Sequence, residues 1–265
     1  MNNNENLQNT ITNNRNFMKC PEFSEAMSKS DQEKNLPHPP HGKKTQSPLI
    51  DLHPFTERAH NPIHEDSYSN LLDLRRSVRA YDKNAQLTQS QLAFILHSAQ
   101  GIQEYRGQNE AFTLRPVPSG GARHPFETYI AVRNVDGLPQ GLYYYAPTAN
   151  IGSKKVSIEF LKTLRNPDEQ ITKMLVGQKW AATAQAVLFL SCVPYRSEWR
   201  YSEHSHRVIL IDLGHVGQNI MLSAASLRLG SCCMAAYDQA VCDEVLGLDG
   251  TNEYTVYAIA IGKPQ

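Results

Sequence analysis

The sequence predicts an α+β fold in one domain, on three observations. Two capped amphipathic helices stand early in the chain, a strand–turn–strand unit stands in the middle, and a long apolar helix precedes a last strand. At 265 residues the chain is long enough to bury a sizeable core.

The first 65 residues stand apart. They open Asn-rich, run on through MSKSDQEKNLPHPPHGKKTQSP and show no apolar period, and Pro37, Pro39, Pro40 and Pro48 oppose helix and strand alike. Two readings stay open for residues 1–65, a flexible arm or an extension wrapped over the domain formed by residues 66–265.

From Asp66 onward regular structure is expected. DSYSNLLDLRRSV puts Leu71, Leu74 and Val78 on one helical face, with Asp66 or Ser67 as N-cap. In LTQSQLAFILHSAQG, Thr88 and Gln91 have capping-box spacing, Leu92, Ile95, Leu96 and Ala99 form the stripe, and Gly101 ends it. FETYIAVR alternates as a strand, NVDGLPQG supplies the turn and LYYYA reads as its antiparallel partner. Helical stretches are expected within 157–177, then a buried strand at AVLFLSCV. Residues 206–230 read as the longest helix, apolar around most of its circumference and ended by Gly230. Such a helix is central or packs on a second subunit. A short helix near 238–246 and the strand YTVYAIAIG finish the chain.

Charge and cysteine content narrow the function classes. Twenty-six basic and 26 acidic residues cancel, so no global field favours nucleic acid, and a small-molecule partner is expected. Five cysteines without a C-x-x-C pair make no disulfide framework and favour a reducing, cytoplasmic setting. The N-terminus lacks the apolar core of a signal peptide, and no unbroken apolar run reaches membrane-spanning length.

Several motifs carry possible chemistry, each beside a plainer reading. RRSVR is either a solvated helix end or a set of guanidinium forks for phosphate and carbonyl oxygens. PSGGARHP is either an ordinary glycine turn or a loop offering Ser119 and backbone N–H groups to an acceptor-rich ligand. It matches no Walker, dinucleotide or nucleophile-elbow pattern. In GSCC, Cys232 and Cys233 read as core thiols rather than a redox pair. His204 and His206 lack a third ligand, so no metal is expected. EWRYSEHSHR reads as a polar loop, of the active site or of the surface.

In this order, RRSVRAYD, PSGGARHPFETYIAVRNVDGLPQGLYYY, GHVGQNIMLSAASLRLGSC and VLGLDG resemble the nitroreductase-like FMN flavoproteins, specifically the branch of SagB-type dehydrogenases. The resemblance covers about residues 70–263. It implies a central, mostly antiparallel sheet flanked by helices, in a homodimer with the long helix at the interface and FMN between subunits. It implies that Arg75, Ser77 and Arg79, with Arg76 nearby, hold the phosphate, ribityl and pyrimidine oxygens of FMN. Pro118, Ser119, Gly120 and Gly121 would approach the flavin from the neighbouring subunit. Ser231 and Cys232, in a loop after Gly230, would face its reactive edge, and Lys263 would be a second phosphate ligand. The implied chemistry is ping-pong hydride transfer through flavin N5, from NADH or NADPH to a small electrophile such as a nitro compound or quinone. One branch instead oxidises peptide azolines and carries a Lys-Tyr pair before the central helix. Here Arg200 and Tyr201 are the matching candidates for the catalytic, substrate-side positions, beside Trp199, and arginine is a poor base. Azoline oxidation of a modified peptide and a non-catalytic flavin-binding role are the alternatives.

Overall fold

The computed structural model describes residues 28–56 and 67–265, with Ile63 and residues 9, 10, 12, 13, 15–17 and 19. A seven-stranded sheet forms its centre, in the order β1-β6-β5-β4-β7-β9-β8. The strands are β1 (Leu49–Asp51), β4 (Phe126–Val132), β5 (Gly141–Tyr145), β6 (Ser157–Lys162), β7 (Ala186–Cys192), β8 (Gly230–Met234) and β9 (Tyr254–Gly262). Every pairing between them is antiparallel. A separate hairpin joins β2 (Glu104–Arg106) to β3 (Phe112–Leu114).

Both faces of the sheet are covered, which is why FETYIAV and AVLFLSC are buried along their whole length. Ile130, Leu188 and Ile259 point to one face, where helices α2 (Gln89–Gln100) and α5 (Ser205–Ser226) supply Leu92, Leu96, Val216 and Ile220. Their neighbours Tyr129, Phe189 and Ala258 point to the other. There α3 (Pro167–Met174) and α6 (Gln239–Leu246) contribute Ile171, Met174 and Val245. The α+β class, the central antiparallel sheet and the flanking helices expected from the sequence are all present.

Local signals explain several boundaries. Thr88 accepts from the Gln91 backbone N–H while the Gln91 side chain accepts from that of Thr88, completing the expected capping box. Ser67 rather than Asp66 caps α1 (Tyr68–Leu74), accepting from the Asn70 N–H. Helix α1 stops at Leu74, so Val78 lies beyond it and RRSVR is extended chain rather than a helix end.

Four further expectations are corrected. Residues 157–162 are strand β6, because Ile158 and Phe160 alternate inward between the β1 and β5 partners, and helix begins only at Pro167. EWRYSEHSHR is mostly helical, split between α4 (Tyr195–Tyr201), a short 3-10 turn and the start of α5. Helix α5 ends at Ser226, where Arg228 takes a positive φ of 57°, and Gly230 instead opens β8. Ser231 and Cys232 are therefore in a strand and not in a loop. Gly230 is small because Val78 crosses it: a Cβ there would meet the Val78 Cβ at 2.7 Å.

The segment preceding α1 contributes β1, which pairs with β6, and it buries Leu52 and Phe55 in the core. Further upstream, Trp199 Nε1 donates to the Leu36 carbonyl at 3.0 Å and Arg115 Nη2 to the His41 carbonyl at 3.0 Å. The stretch Tyr195–Ser226 is long and apolar enough by composition to cross a membrane, but 56% of its apolar window is buried in this domain.

Candidate active site

The residues singled out in the sequence gather into two groups. The first surrounds β8, an edge strand whose outer side is met by the RRSVR segment. Ser77 bridges Ser231 in parallel, and the Val78 N–H donates to the Ser231 carbonyl at 3.0 Å. The C-terminus arrives at the same place, since the Asp82 N–H donates to the Lys263 carbonyl at 2.9 Å and Tyr81 bridges Pro264. Arg75, Arg76, Ser77, Arg79, Ser231, Cys232 and Lys263 thus share one corner of the fold.

None of Arg75, Arg76, Arg79 and Lys263 forms an ion pair with a described carboxylate. Among the described residues Arg76 donates to the Arg75 carbonyl at 2.8 Å, and the Arg79 guanidinium lies over the Trp180 ring at 5.8 Å. Four cations with no carboxylate partner among the described residues, beside an exposed serine, suit a ligand rich in phosphate and carbonyl oxygens. FMN is such a ligand, so the donor set fits it.

Cys232 and Cys233 fall on opposite faces of β8, which excludes a vicinal redox pair. Cys233 packs toward α5, with its Sγ 3.9 Å from the Gly217 carbonyl oxygen. Burial pushes its thiol up to about 11 and raises that of Cys232, so neither is a thiolate at neutral pH.

The second group surrounds the glycine turn. Gly121 has φ +55°, and a Cβ there would meet Arg200 Cδ at 2.4 Å and the Tyr201 hydroxyl at 2.8 Å; at Gly120 it would meet Val208 at 2.4 Å. The glycines therefore make room for the chain's own Arg200, Tyr201 and Val208. Ser119 Oγ donates to Asp212 Oδ2 at 2.6 Å, the Gly120 N–H donates to the same carboxylate at 3.0 Å, and the His124 N–H donates to Ser119 Oγ at 2.9 Å. Asp212 is buried, which raises its carboxyl pKa, against the opposing pull of the Ser119 and Gly120 hydrogen bonds. Its signal in the sequence was a lone acid inside the apolar run VILIDLGHVG.

Arg200 is likewise engaged. It donates from Nη1 to Gln32 Oε1 at 2.7 Å and lies 5.5 Å from the Tyr201 ring centroid. The two groups do not meet within one chain. Gly120 touches α5 at Val208 in its first turn, whereas β8 runs past Gly217 toward the helix end. Val208 and Gly217 stand about 14 Å apart along α5 at 1.5 Å per residue. Among the described residues no group of three or more His, Cys, Asp or Glu side chains is placed to hold a metal.

The model of the nitroreductase family matches residues 72–263, the span that builds both groups and the sheet between them. The chain belongs to the nitroreductase family. A Methanocaldococcus jannaschii protein that carries the provisional name nitroreductase is 31% identical over 205 residues, covering 76% of this chain and 93% of its own. The trifolitoxin-processing protein TfxB of Rhizobium leguminosarum bv. trifolii is 31% identical over 150 residues, 56% of this chain but only 39% of the relative. Both agree with the SagB-type branch of the family or with its wider membership. Among solved structures, an Anabaena variabilis protein provisionally described as a nitroreductase superimposes with a TM-score of 0.58 at 28% identity, over 77% of this chain and 41% of that one. The chain thus spans less than half the length of that protein. The Escherichia coli microcin synthetase McbBCD complex shares the fold at 18% identity, with a TM-score of 0.58 over 88% of this chain and 80% of the other. An Exiguobacterium sibiricum protein solved in complex with FMN shares it at 13% identity, with a TM-score of 0.52 over 76% of this chain and 90% of its own.

Proposed function

We propose that this nitroreductase-family oxidoreductase is an FMN-dependent NAD(P)H oxidoreductase that works as a homodimer and reduces a small electrophile such as a nitro compound or quinone. The observation that carries the reading is the cation cluster around the Ser77–Ser231 bridge, which has no carboxylate partner among the described residues. Arg75, Arg76, Arg79 and Lys263 would hold the FMN phosphate and ring oxygens, with Ser77 on the ribityl side. Ser231 and Cys232 would lie along the ring's reactive edge, where unionised thiols add no competing nucleophile. When bound, FMN supplies the hydride acceptor and donor at N5.

The turn Pro118, Ser119, Gly120 and Gly121 would complete the site from the second subunit, because no single chain brings it to the first group. A dimer also gives the exposed apolar side of α5, with Leu210 and Ile211, something to cover it. Asp212 presets the turn by holding Ser119 and Gly120, so less ordering is left for cofactor binding.

Azoline oxidation on a modified peptide is the second reading, favoured by the relatedness to TfxB and by the fold shared with microcin synthetase. Against it stands Arg200, a permanent cation bound to Gln32 at the position where that chemistry wants a base. An anaerobic visible spectrum before and after NADH or NADPH separates the two. Bleaching of bound flavin is the outcome expected here, whereas flavin that stays oxidised would transfer the reading to azoline oxidation or to flavin binding without catalysis.

A further inference from the structure

A groove of about 1070 Å³ runs beside the glycine turn, between the 32–38 arm, the β2–β3 hairpin and the end of α4. Two arginines line it, Arg123 and Arg200, and neither has a carboxylate partner among the described residues. Arg123 is buried and fixed. It donates from Nε to the Gly121 carbonyl at 2.8 Å and from Nη2 to the Ala111 carbonyl at 2.7 Å, and it lies over the Trp199 ring at 5.0 Å. Its Nη1 donates to no described residue. Among the described residues Arg200 donates to Gln32 alone, and its Nε is buried with no hydrogen-bond partner there.

Both arginines lie against Gly121, Arg123 through its bond to the Gly121 carbonyl and Arg200 with its Cδ 2.4 Å from where a Cβ of Gly121 would stand. Burial, and then the charge of Arg200, bring the Arg123 pKa down to about 10. The arm and the hairpin hold the pair in place, so the arrangement is built rather than accidental. Glu33, the acidic residue among those lining the groove, forms no ion pair with either arginine. Among the described residues no carboxylate pairs with either cation, and two guanidinium groups facing one groove suit an anionic ligand.

We propose that Arg123 and Arg200 form an oxyanion clamp for the second substrate, which binds in this groove through a carboxylate or phosphate with its reducible part directed at the glycine turn. The inference rests on the reductase reading above, and it narrows the acceptor from any small electrophile to an anionic one. Trp199, buried against Arg123, backs the clamp from behind.

The test is calorimetric titration of the oxidised holo-protein, with no nicotinamide present, using 4-nitrobenzoate and its neutral isostere 4-nitrobenzamide. The acid is expected to bind about tenfold tighter, the worth of a charge-assisted hydrogen bond. That preference should weaken with salt and collapse toward unity in Arg200→Met. Arg123→Met gives the same collapse if that variant folds; the acid–amide comparison on the unaltered protein decides the matter without it. Competition by inorganic pyrophosphate would place phosphate groups in the same clamp, and lack of competition would restrict it to carboxylates. Equal binding of acid and amide, or no binding of the acid, overturns the proposal. Since no reductant is used, a flavin that NADH fails to bleach would sink the reductase reading while leaving this result standing, and the reverse holds equally.

Discussion

Ser119 lies in a motif that resembles a flavin loop, yet its hydroxyl proton is directed to Asp212 at 2.6 Å while its oxygen accepts from the His124 N–H. Its side chain is thus part of the turn's frame. Replacing Asp212 with Asn removes the negative charge that accepts two donors at once. It should cost about 1–3 kcal/mol of stability and weaken FMN retention, readable as chemical denaturation and as flavin absorbance after desalting. At the other group, Arg75→Ala with Arg79→Ala should yield protein without bound FMN; full flavin occupancy in that variant would refute the assignment of the cation cluster. His124 shows a different residue-scale effect. Burial first, then the Arg115 charge, lower its pKa to about 2, so the folded chain holds it neutral while the unfolded chain protonates it near 6.5. Stability is therefore full above about pH 6.5 and falls as pH drops below it, by up to about 1.4 kcal/mol per pH unit from this group. Melting temperatures recorded from pH 7 to pH 4 should decline steadily in this protein and less steeply in His124→Gln.

At the scale of elements, the chain was legible where local chemistry and packing agree. Thr88 and Gln91 announced α2, and the NVDGLPQG turn announced β4 and β5 with Tyr129 opposite Tyr144. It was misleading where partners elsewhere decide. SIEFLK becomes a strand because β1 and β5 flank it, and β1 belongs to a stretch that has no periodicity of its own. The end of α5 was misplaced by four residues because Gly230 was taken for a cap, when its small size serves the crossing of Val78. Arg123 was visible but had no role until the arm and the hairpin closed a groove around it. The arm itself gives a prediction. Trp199→Phe removes the Nε1 donor to Leu36 while keeping an aromatic ring, so limited proteolysis within residues 28–41 should accelerate. Across the sheet, Glu127 and Arg196 form a buried ion pair reinforced by the Tyr144 hydroxyl on the same carboxylate at 2.8 Å. Arg196→Met strands that carboxylate and should cost about 3–5 kcal/mol, measured by denaturant unfolding.

For the whole molecule, the decisive feature is that the glycine turn meets α5 in its first turn, at Val208, and β8 meets it nine residues on, at Gly217, while its side bearing Leu210 and Ile211 remains uncovered. In the proposed dimer, built on that side, one chain's cluster would meet the other chain's turn, an arrangement that the sequence resemblance implies and that no periodicity could reveal. Ile211→Glu should shift sedimentation to the monomer and empty the flavin site together. The most direct measurement is complementation between two inactive chains. One carries Arg75→Ala and Arg79→Ala, the other Gly121→Val, and each alone should purify without FMN. Co-expressed in equal amounts, they should recover FMN at about a quarter of all sites, because half the dimers are mixed and each mixed dimer has one intact site. Failure to recover any FMN in verified mixed dimers would contradict a site shared between chains.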